Sequence, residues 1–71
     1  MTTTELDETS RAILRVIGEI QDRHQAVTVQ AAAIGARASY MDAYAIVNRL
    51  FTEGLLNHEL KLTEAGRRAV A

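Results

Sequence analysis

Cysteine, proline and tryptophan are absent from this chain, and aromatic residues are scarce. Without cysteine the chain has neither a disulfide framework nor a thiolate metal site. Without proline nothing in the composition interrupts a long helix, so the four glycines are the main breaks in the pattern. Because only two Tyr and one Phe are present, the core is expected to consist of Ile, Leu, Val and Ala. There is also no signal peptide and no apolar run long enough to span a bilayer, which predicts a soluble cytoplasmic protein without membrane partners.

The length of 71 residues predicts one domain over 1–71, in which residues 1–4 are disordered. A domain of this size buries only roughly 60% of its unfolded surface, so its stability is expected to be marginal unless it dimerises. The formal net charge is −1, whereas a strong nucleic-acid binder usually carries a basic surplus. Residues 36–71 contain five Lys and Arg against four acidic residues, whereas residues 1–35 contain three Arg against five acidic residues. A local basic patch in the second half of the chain is therefore still possible.

The best-specified helix is predicted over 39–53. Ser39 is a good N-cap, and Asp42 lies at the third helical position, where its charge suits the helix N-terminus. Gly54 lies where helices often end in a left-handed residue, with Leu55 then packing on the helix. One face is apolar and predicted to be buried: Ala43, Ile46, Val47, Leu50 and Phe51. The other face can contact a partner and carries Tyr40, Met41, Tyr44, Asn48 and Arg49.

A first helix is predicted over 5–24, capped by Thr4 or Asp7. Its apolar stripe is broad and consists of Leu6, Ile13, Leu14, Val16, Ile17 and Ile20. The breadth allows two interpretations: a well-buried helix, which is favoured, or a helix that also forms a homodimer interface. On the polar side Arg15 and Glu19 have the spacing of an i,i+4 ion pair.

Residues 25–29 predict a turn or a very short strand, and Thr28 can cap the alanine-rich helix predicted over 30–38. Within that helix Ile34 falls off the buried face, and Gly35 indicates close packing or an early end.

After Gly54 the period changes to alternation. Leu56, His58, Leu60 and Leu62 alternate with polar residues, which predicts a two-stranded hairpin with its turn near 57–59. Thr63 then caps a last short helix over 64–70. The predicted fold class is mainly α with a small β-hairpin (α+β): a three-helix core, a short wing and a short C-terminal helix.

Three segments resemble the winged helix-turn-helix family, in particular MarR-type and related small bacterial or phage regulators: V-T-V-Q-A-A-A, N-R-L-F-T-E-G-L-L and L-K-L-T-E-A-G-R-R-A. The resemblance covers residues 14–71. It implies that helix 39–53 lies in the major groove of double-stranded DNA and reads base edges. It also implies that wing residues Asn57, His58 and Lys61 approach the minor groove or phosphates.

The chain departs from the family pattern in three places. Arg37 stands where relatives often have a glycine before the turn. The wing is clipped and has no Arg at its tip. The recognition face carries Asp42 and no basic residue before Arg49. The candidate DNA-binding residues are Arg37, Ser39, Tyr40, Met41, Tyr44, Asn48, Arg49, His58 and Lys61, with Arg67 and Arg68 as further candidate phosphate contacts.

Enzymatic chemistry is not predicted. His24 and His58 have no partners at metal-ligand spacing, and Ser10 and Ser39 have no His or Lys in a nucleophile arrangement. No catalytic residue, metal or cofactor is therefore assigned.

Two hypotheses about function follow. The first is a small, dimeric, sequence-specific DNA-binding regulator of transcription, such as a repressor, with helix 39–53 in the major groove. The alternative is a winged-helix protein–protein interaction module with weak or no DNA binding, favoured by the near-neutral charge and the exposed Tyr40, Met41, Tyr44 and Ile34. A ligand-sensing repressor is a third, weaker reading, because a chain this short has little room for an effector pocket.

Overall fold

The structure is a computed structural model that describes residues 7–70. This part of the chain contains four helices: α1 (Glu8–Asp22), α2 (Val29–Ala36), α3 (Tyr40–Thr52) and α4 (Glu64–Val70). Helix α1 packs against the other three, α2 also packs against α3, and α4 contacts α1 but neither α2 nor α3. Helix α1 is therefore the centre of the molecule. The predicted disorder of residues 1–4 and the predicted cap at Thr4 lie outside the described residues.

Each of these helices begins at a side chain that caps it. Asp7 accepts a hydrogen bond from the Ser10 N–H, and so caps α1 one position before Glu8. The remaining caps confirm the predictions from local sequence: Thr28 accepts from the Ala31 N–H, Ser39 from the Asp42 N–H and Thr63 from the Gly66 N–H.

The end of α3 is also confirmed. Gly54 has a left-handed backbone with φ 80°, and its N–H donates to the Phe51 carbonyl while the Leu55 N–H donates to the Leu50 carbonyl. This is the Schellman arrangement. Two further left-handed residues, His24 and Arg37, end α1 and α2 with φ 61° and 58°. A residue other than glycine loses about 1–2 kcal/mol in this backbone region.

The core lies between α1, α2 and α3. Its buried apolar residues are Ile13, Leu14, Ile17, Ile20, Ala32, Ala33, Ala43, Val47, Leu50, Leu56 and Leu62. The prediction that Phe51 belongs to the buried face of α3 is wrong, because its side chain is 48% exposed. Helix α4 packs on α1 rather than on α3, so no helix of the described residues covers the side of α3 on which Phe51 lies.

The predicted β-hairpin, and with it the α+β winged helix-turn-helix fold class, is wrong. Between residues 7 and 70 there is no strand, only one isolated antiparallel bridge between Leu56 and Leu62. The Asn57 side chain accepts hydrogen bonds from the N–H groups of Glu59 and Lys61 at 2.8 and 3.0 Å. These local bonds use backbone donors that a strand pair would need, and they fold residues 57–61 into a tight turn. Residues 25–29 were predicted as a turn or very short strand; residues 25–28 form neither helix nor strand, and Val29 is already the first residue of α2.

Candidate functional site

The outward side of α3 carries five exposed side chains, here called the α3 outer face: Tyr40, Met41, Tyr44, Asn48 and Phe51. The exposed fractions are 54% for Tyr40, 74% for Met41 and 50% for Tyr44. The rings of Tyr40 and Tyr44 stack on each other, with centroids 6.3 Å apart and planes 16° apart. The sequence left open whether these rings are exposed or fill space over α2. The structure places about half of each tyrosine in solvent, next to its neighbour.

A three-residue turn, 37–39, joins α2 to α3. Arg37 holds the left-handed conformation that ends α2, and the Ala38 N–H donates to the Ala33 carbonyl. Ser39 then caps α3. Two packed helices joined by a turn of this length are the arrangement of a helix-turn-helix motif. The uncapped N–H groups at the start of α3 give that end a partial positive charge.

Arg49, a predicted DNA contact, is held by the protein itself. Its guanidinium donates to the Ser10 hydroxyl at 3.0 Å and lies 3.9 Å from the Glu53 carboxylate. Ser10 is fully buried in α1, so this bond joins the second half of α3 to the first turn of α1. In the sequence Ser10 stands out only as a candidate nucleophile that lacks a His or Lys partner. A polar residue at helical spacing from Leu6, Ile13 and Ile17 was the available signal that Ser10 needs a buried partner.

The same network reaches the cap of α1. The hydrogen bond from the Ser10 N–H, followed by the Ser10 side chain and the charge of Arg49, lowers the pKa of Asp7 below its ordinary value of 3.8. A carboxylate with a lowered pKa in the folded state stabilises the fold fully above its ordinary pKa. That contribution is lost as the pH falls through the lowered value.

The link between Ser10 and Arg49 can be measured by a double-mutant cycle. Ser10→Ala and Arg49→Met are each expected to lower the free energy of unfolding by about 1–2 kcal/mol, because each removes one partner of a part-buried bond. The double variant should lose clearly less than the sum of the two, since the same bond is broken only once. Urea unfolding of the four proteins measures the coupling.

The control for this cycle is Arg68→Met, which breaks an exposed pair with Glu64 within α4. Its expected effect is within about 0.5 kcal/mol. Strictly additive losses for Ser10→Ala and Arg49→Met would show that the two side chains do not stabilise each other.

Most candidate phosphate contacts already have acidic partners. Lys61 lies 3.9 Å from Glu59, Arg67 lies 3.4 Å from Asp22, and Arg68 lies 3.0 Å from Glu64. Arg37 differs, because no carboxylate of residues 7–70 lies within ion-pair distance of it.

The candidate residues do not form one cluster along the chain. Arg37 and Ser39 precede the N-terminal end of α3, whereas exposed His58 and Lys61 lie in the turn after its C-terminal end. A helix of thirteen residues is about 20 Å long. The two groups therefore follow from opposite ends of α3 along the chain.

Comparison with protein-family models, with curated proteins and with solved structures found no match for this chain.

Membrane-spanning helices and metal-binding clusters are both missing from the described part of the chain. None of its helices is long and apolar enough to cross a membrane. Nor does that part bring together three or more His, Cys, Asp or Glu side chains that could hold a metal ion.

Proposed function

We propose that this chain is a small sequence-specific DNA-binding regulator of transcription that inserts α3 into the major groove of double-stranded DNA. The observation that carries the proposal is the α2–turn–α3 unit with an uncovered outer face. Ala43, Val47 and Leu50 hold one side of α3 in the core, while the α3 outer face is open to solvent. The major groove admits one α-helix, and in helix-turn-helix proteins the N-terminal residues of the second helix contact base edges. A cytoplasmic location is part of this proposal.

The polar and apolar groups of the α3 outer face suit different parts of a base pair. The Asn48 carboxamide can pair with adenine through two hydrogen bonds, which is worth about 1–3 kcal/mol of discrimination. Met41 and the tyrosine rings offer apolar surface to thymine methyl groups. The Ser39 hydroxyl is used in capping α3, so its contribution is to hold the helix end in place.

Affinity is expected to be low for a single copy. Arg37 is the cation next to the N-terminal end of α3, and Lys61 is the next candidate phosphate contact. With two phosphate contacts, the slope of log K for DNA binding against log salt concentration is only about −1.8. A second binding unit would raise the overall affinity without any new type of contact.

Protein binding by the same face is the second candidate function. Four large side chains of the α3 outer face, Tyr40, Met41, Tyr44 and Phe51, are exposed, and aromatic residues and Met are enriched in protein interfaces. Most of the cations that would bind DNA backbone are paired with acids. These observations favour a protein partner if DNA affinity is absent.

The DNA proposal is tested with fluorescently labelled random-sequence duplex at low and physiological salt. Arg37→Gly combined with Lys61→Ala should weaken binding and reduce the salt slope by about 1.8. Glycine at position 37 removes the guanidinium while it keeps the left-handed backbone of the turn. The matched control is Arg11→Ala with Arg15→Ala, which removes the same charge from exposed positions of α1 and should leave the slope unchanged.

Equal losses in the two double variants would mean that binding reflects net charge only. Wild-type protein that does not bind duplex even at low salt would overturn the DNA proposal. In that case a partner captured by the wild type, and lost with Tyr44→Ala and Phe51→Ala, would support the second candidate.

A further inference from the structure

A groove of about 460 Å³ lies between α1 and α2, away from the α3 outer face. We call it the α1–α2 groove. Its walls include Val16 and Ile20 from α1, and Ile34 and Gly35 from α2, with Glu19 and Arg23 also lining it. Ile34, a large aliphatic residue, is 71% exposed at the edge of this groove.

Gly35 determines the shape of this groove. A Cβ atom at Gly35 would lie 2.5 Å from Cγ1 of Val16, so the missing side chain lets α1 and α2 approach closely at this point. Both readings of Gly35 from the sequence are observed, because the helices pack closely here and α2 ends at Ala36, two residues before its predicted end. Neighbouring Ile34 lines the groove and is largely exposed.

The charged residues at the groove can pair with the same residues of a second copy of the chain. Glu19 and Arg23 lie one turn apart on α1, and both are exposed. Neither lies within ion-pair distance of an opposite charge anywhere in residues 7–70, and the pair predicted between Arg15 and Glu19 is not formed. In a two-fold symmetric dimer, residue i of one copy contacts residue j of the other, and j contacts i. Glu19 opposite Arg23 of a second copy would thus form two identical ion pairs.

We propose that a second copy of this chain docks in the α1–α2 groove through a two-fold axis. Ile34 of each copy fills the groove of the other, and the reciprocal Glu19–Arg23 pairs flank the two isoleucines. This dimer does not depend on the proposed DNA-binding function. A standard interface covers about 800 Å² of each partner, which is about one sixth of the 4855 Å² surface of this chain. The groove would be the centre of such an interface, with the adjoining sides of α1 and α2 around it.

The oligomeric state of the full chain is measured by sedimentation velocity over a wide range of concentrations. The 7.8 kDa chain should shift from monomer to dimer as its concentration rises. Ile34→Lys should raise the dissociation constant at least about tenfold, because it places two positive charges against each other at the axis. Met41→Lys is the matched control, since Met41 is 74% exposed but lies on the α3 outer face, and it should leave the dissociation constant unchanged.

The proposed pairing of Glu19 with Arg23 has a sharper test. Glu19→Arg and Arg23→Glu should each weaken the homodimer, because each puts like charges opposite one another. An equimolar mixture of the two variants should form a heterodimer, in which both pairs again join opposite charges. The protein with both substitutions should dimerise like the wild type.

Three results would overturn the proposal: a wild type that is monomeric at every concentration, a dimer that survives Ile34→Lys, or a mixture that associates no better than its components. Unchanged helix content by circular dichroism ensures that loss of the dimer is not loss of the fold.

Discussion

Gly66→Ala is expected to lower the free energy of unfolding by about 3 kcal/mol, the upper end of the usual range for overpacking. A Cβ atom at Gly66 would overlap the backbone carbonyl of Leu55, and it would also lie 3.3 Å from Cδ2 of Leu62. A backbone carbonyl cannot rotate away as a side chain can, so α4 would have to lift from its place. A domain of this length has a total stability of roughly 4–10 kcal/mol. The melting temperature, measured by circular dichroism, should therefore fall by about 12 °C or more.

Alanine substitutions at two other glycines distinguish this steric effect from the general effect of replacing a glycine. Gly54 has a left-handed backbone, but within residues 7–70 no atom other than those of its chain neighbours lies within 4 Å of the position that a Cβ atom would take there, so Gly54→Ala should lose about 1 kcal/mol through backbone strain alone. At Gly18 the terminal methyl Cδ1 of Leu62 would lie 3.1 Å from the added Cβ atom. That methyl can move, and alanine favours the helix, so Gly18→Ala should be near neutral. Equal melting shifts at Gly66 and Gly54 would contradict the proposed clash.

Helix caps and the end of α3 were predictable because their signals are local, whereas α1 ends at Asp22 and α2 at Ala36, each two residues before its predicted end. Ser39, Thr28 and Thr63 each cap a helix through a bond to a backbone N–H three residues later. Gly54 ends α3 through bonds that reach back three to five residues. Such contacts depend on residues close in the chain, so composition and spacing suffice to predict them.

The hairpin was not predictable from alternation alone. Leu56 and Leu62 are both buried, in agreement with an alternating pattern. The same pattern fits a tight turn whose two arms enter the core. Whether a hairpin or such a turn forms depends on the hydrogen bonds that the Asn57 side chain accepts. It accepts from backbone N–H groups two and four residues later. A period of two in the sequence reports which side chains are buried, and does not specify which backbone groups pair.

The candidate site likewise has one part that the sequence predicts and one part that depends on contacts between distant residues. Periodicity predicts the side of α3 on which Tyr40 and Tyr44 lie, but it leaves open whether their rings are exposed or lie over α2. The engagement of Arg49 by Ser10 joins residues 39 positions apart. Periodicity within one helix contains no information about such a partner on another helix. A cation that the sequence assigns to a DNA interface can therefore be engaged within the protein instead. This happens where a buried polar residue on another helix has no partner close to it in the chain.

Leu50→Ala is expected to lower the free energy of unfolding by about 3 kcal/mol, within the 2–5 kcal/mol range for truncation of a buried leucine. Leu50 is fully buried at the junction of α3 with the core. Phe51→Ala removes a larger side chain from the next position, but that ring is about half exposed. Its expected loss is about 1 kcal/mol or less. Urea unfolding at a fixed temperature measures both values.

The order of the two losses tests the orientation of α3. If α3 were rotated so that Phe51 faced the core, as the sequence pattern predicted, Phe51→Ala would be the more destabilising change, at about 3–5 kcal/mol. Phe51→Leu provides a control, because it keeps an apolar side chain on the α3 outer face and should be nearly neutral for stability. Because Phe51 lies on that face, Phe51→Ala should leave the fold intact while it changes the surface offered to a partner. A variant that is folded and fails to bind would then connect the exposed side of α3 to function, independently of whether the partner is DNA or protein.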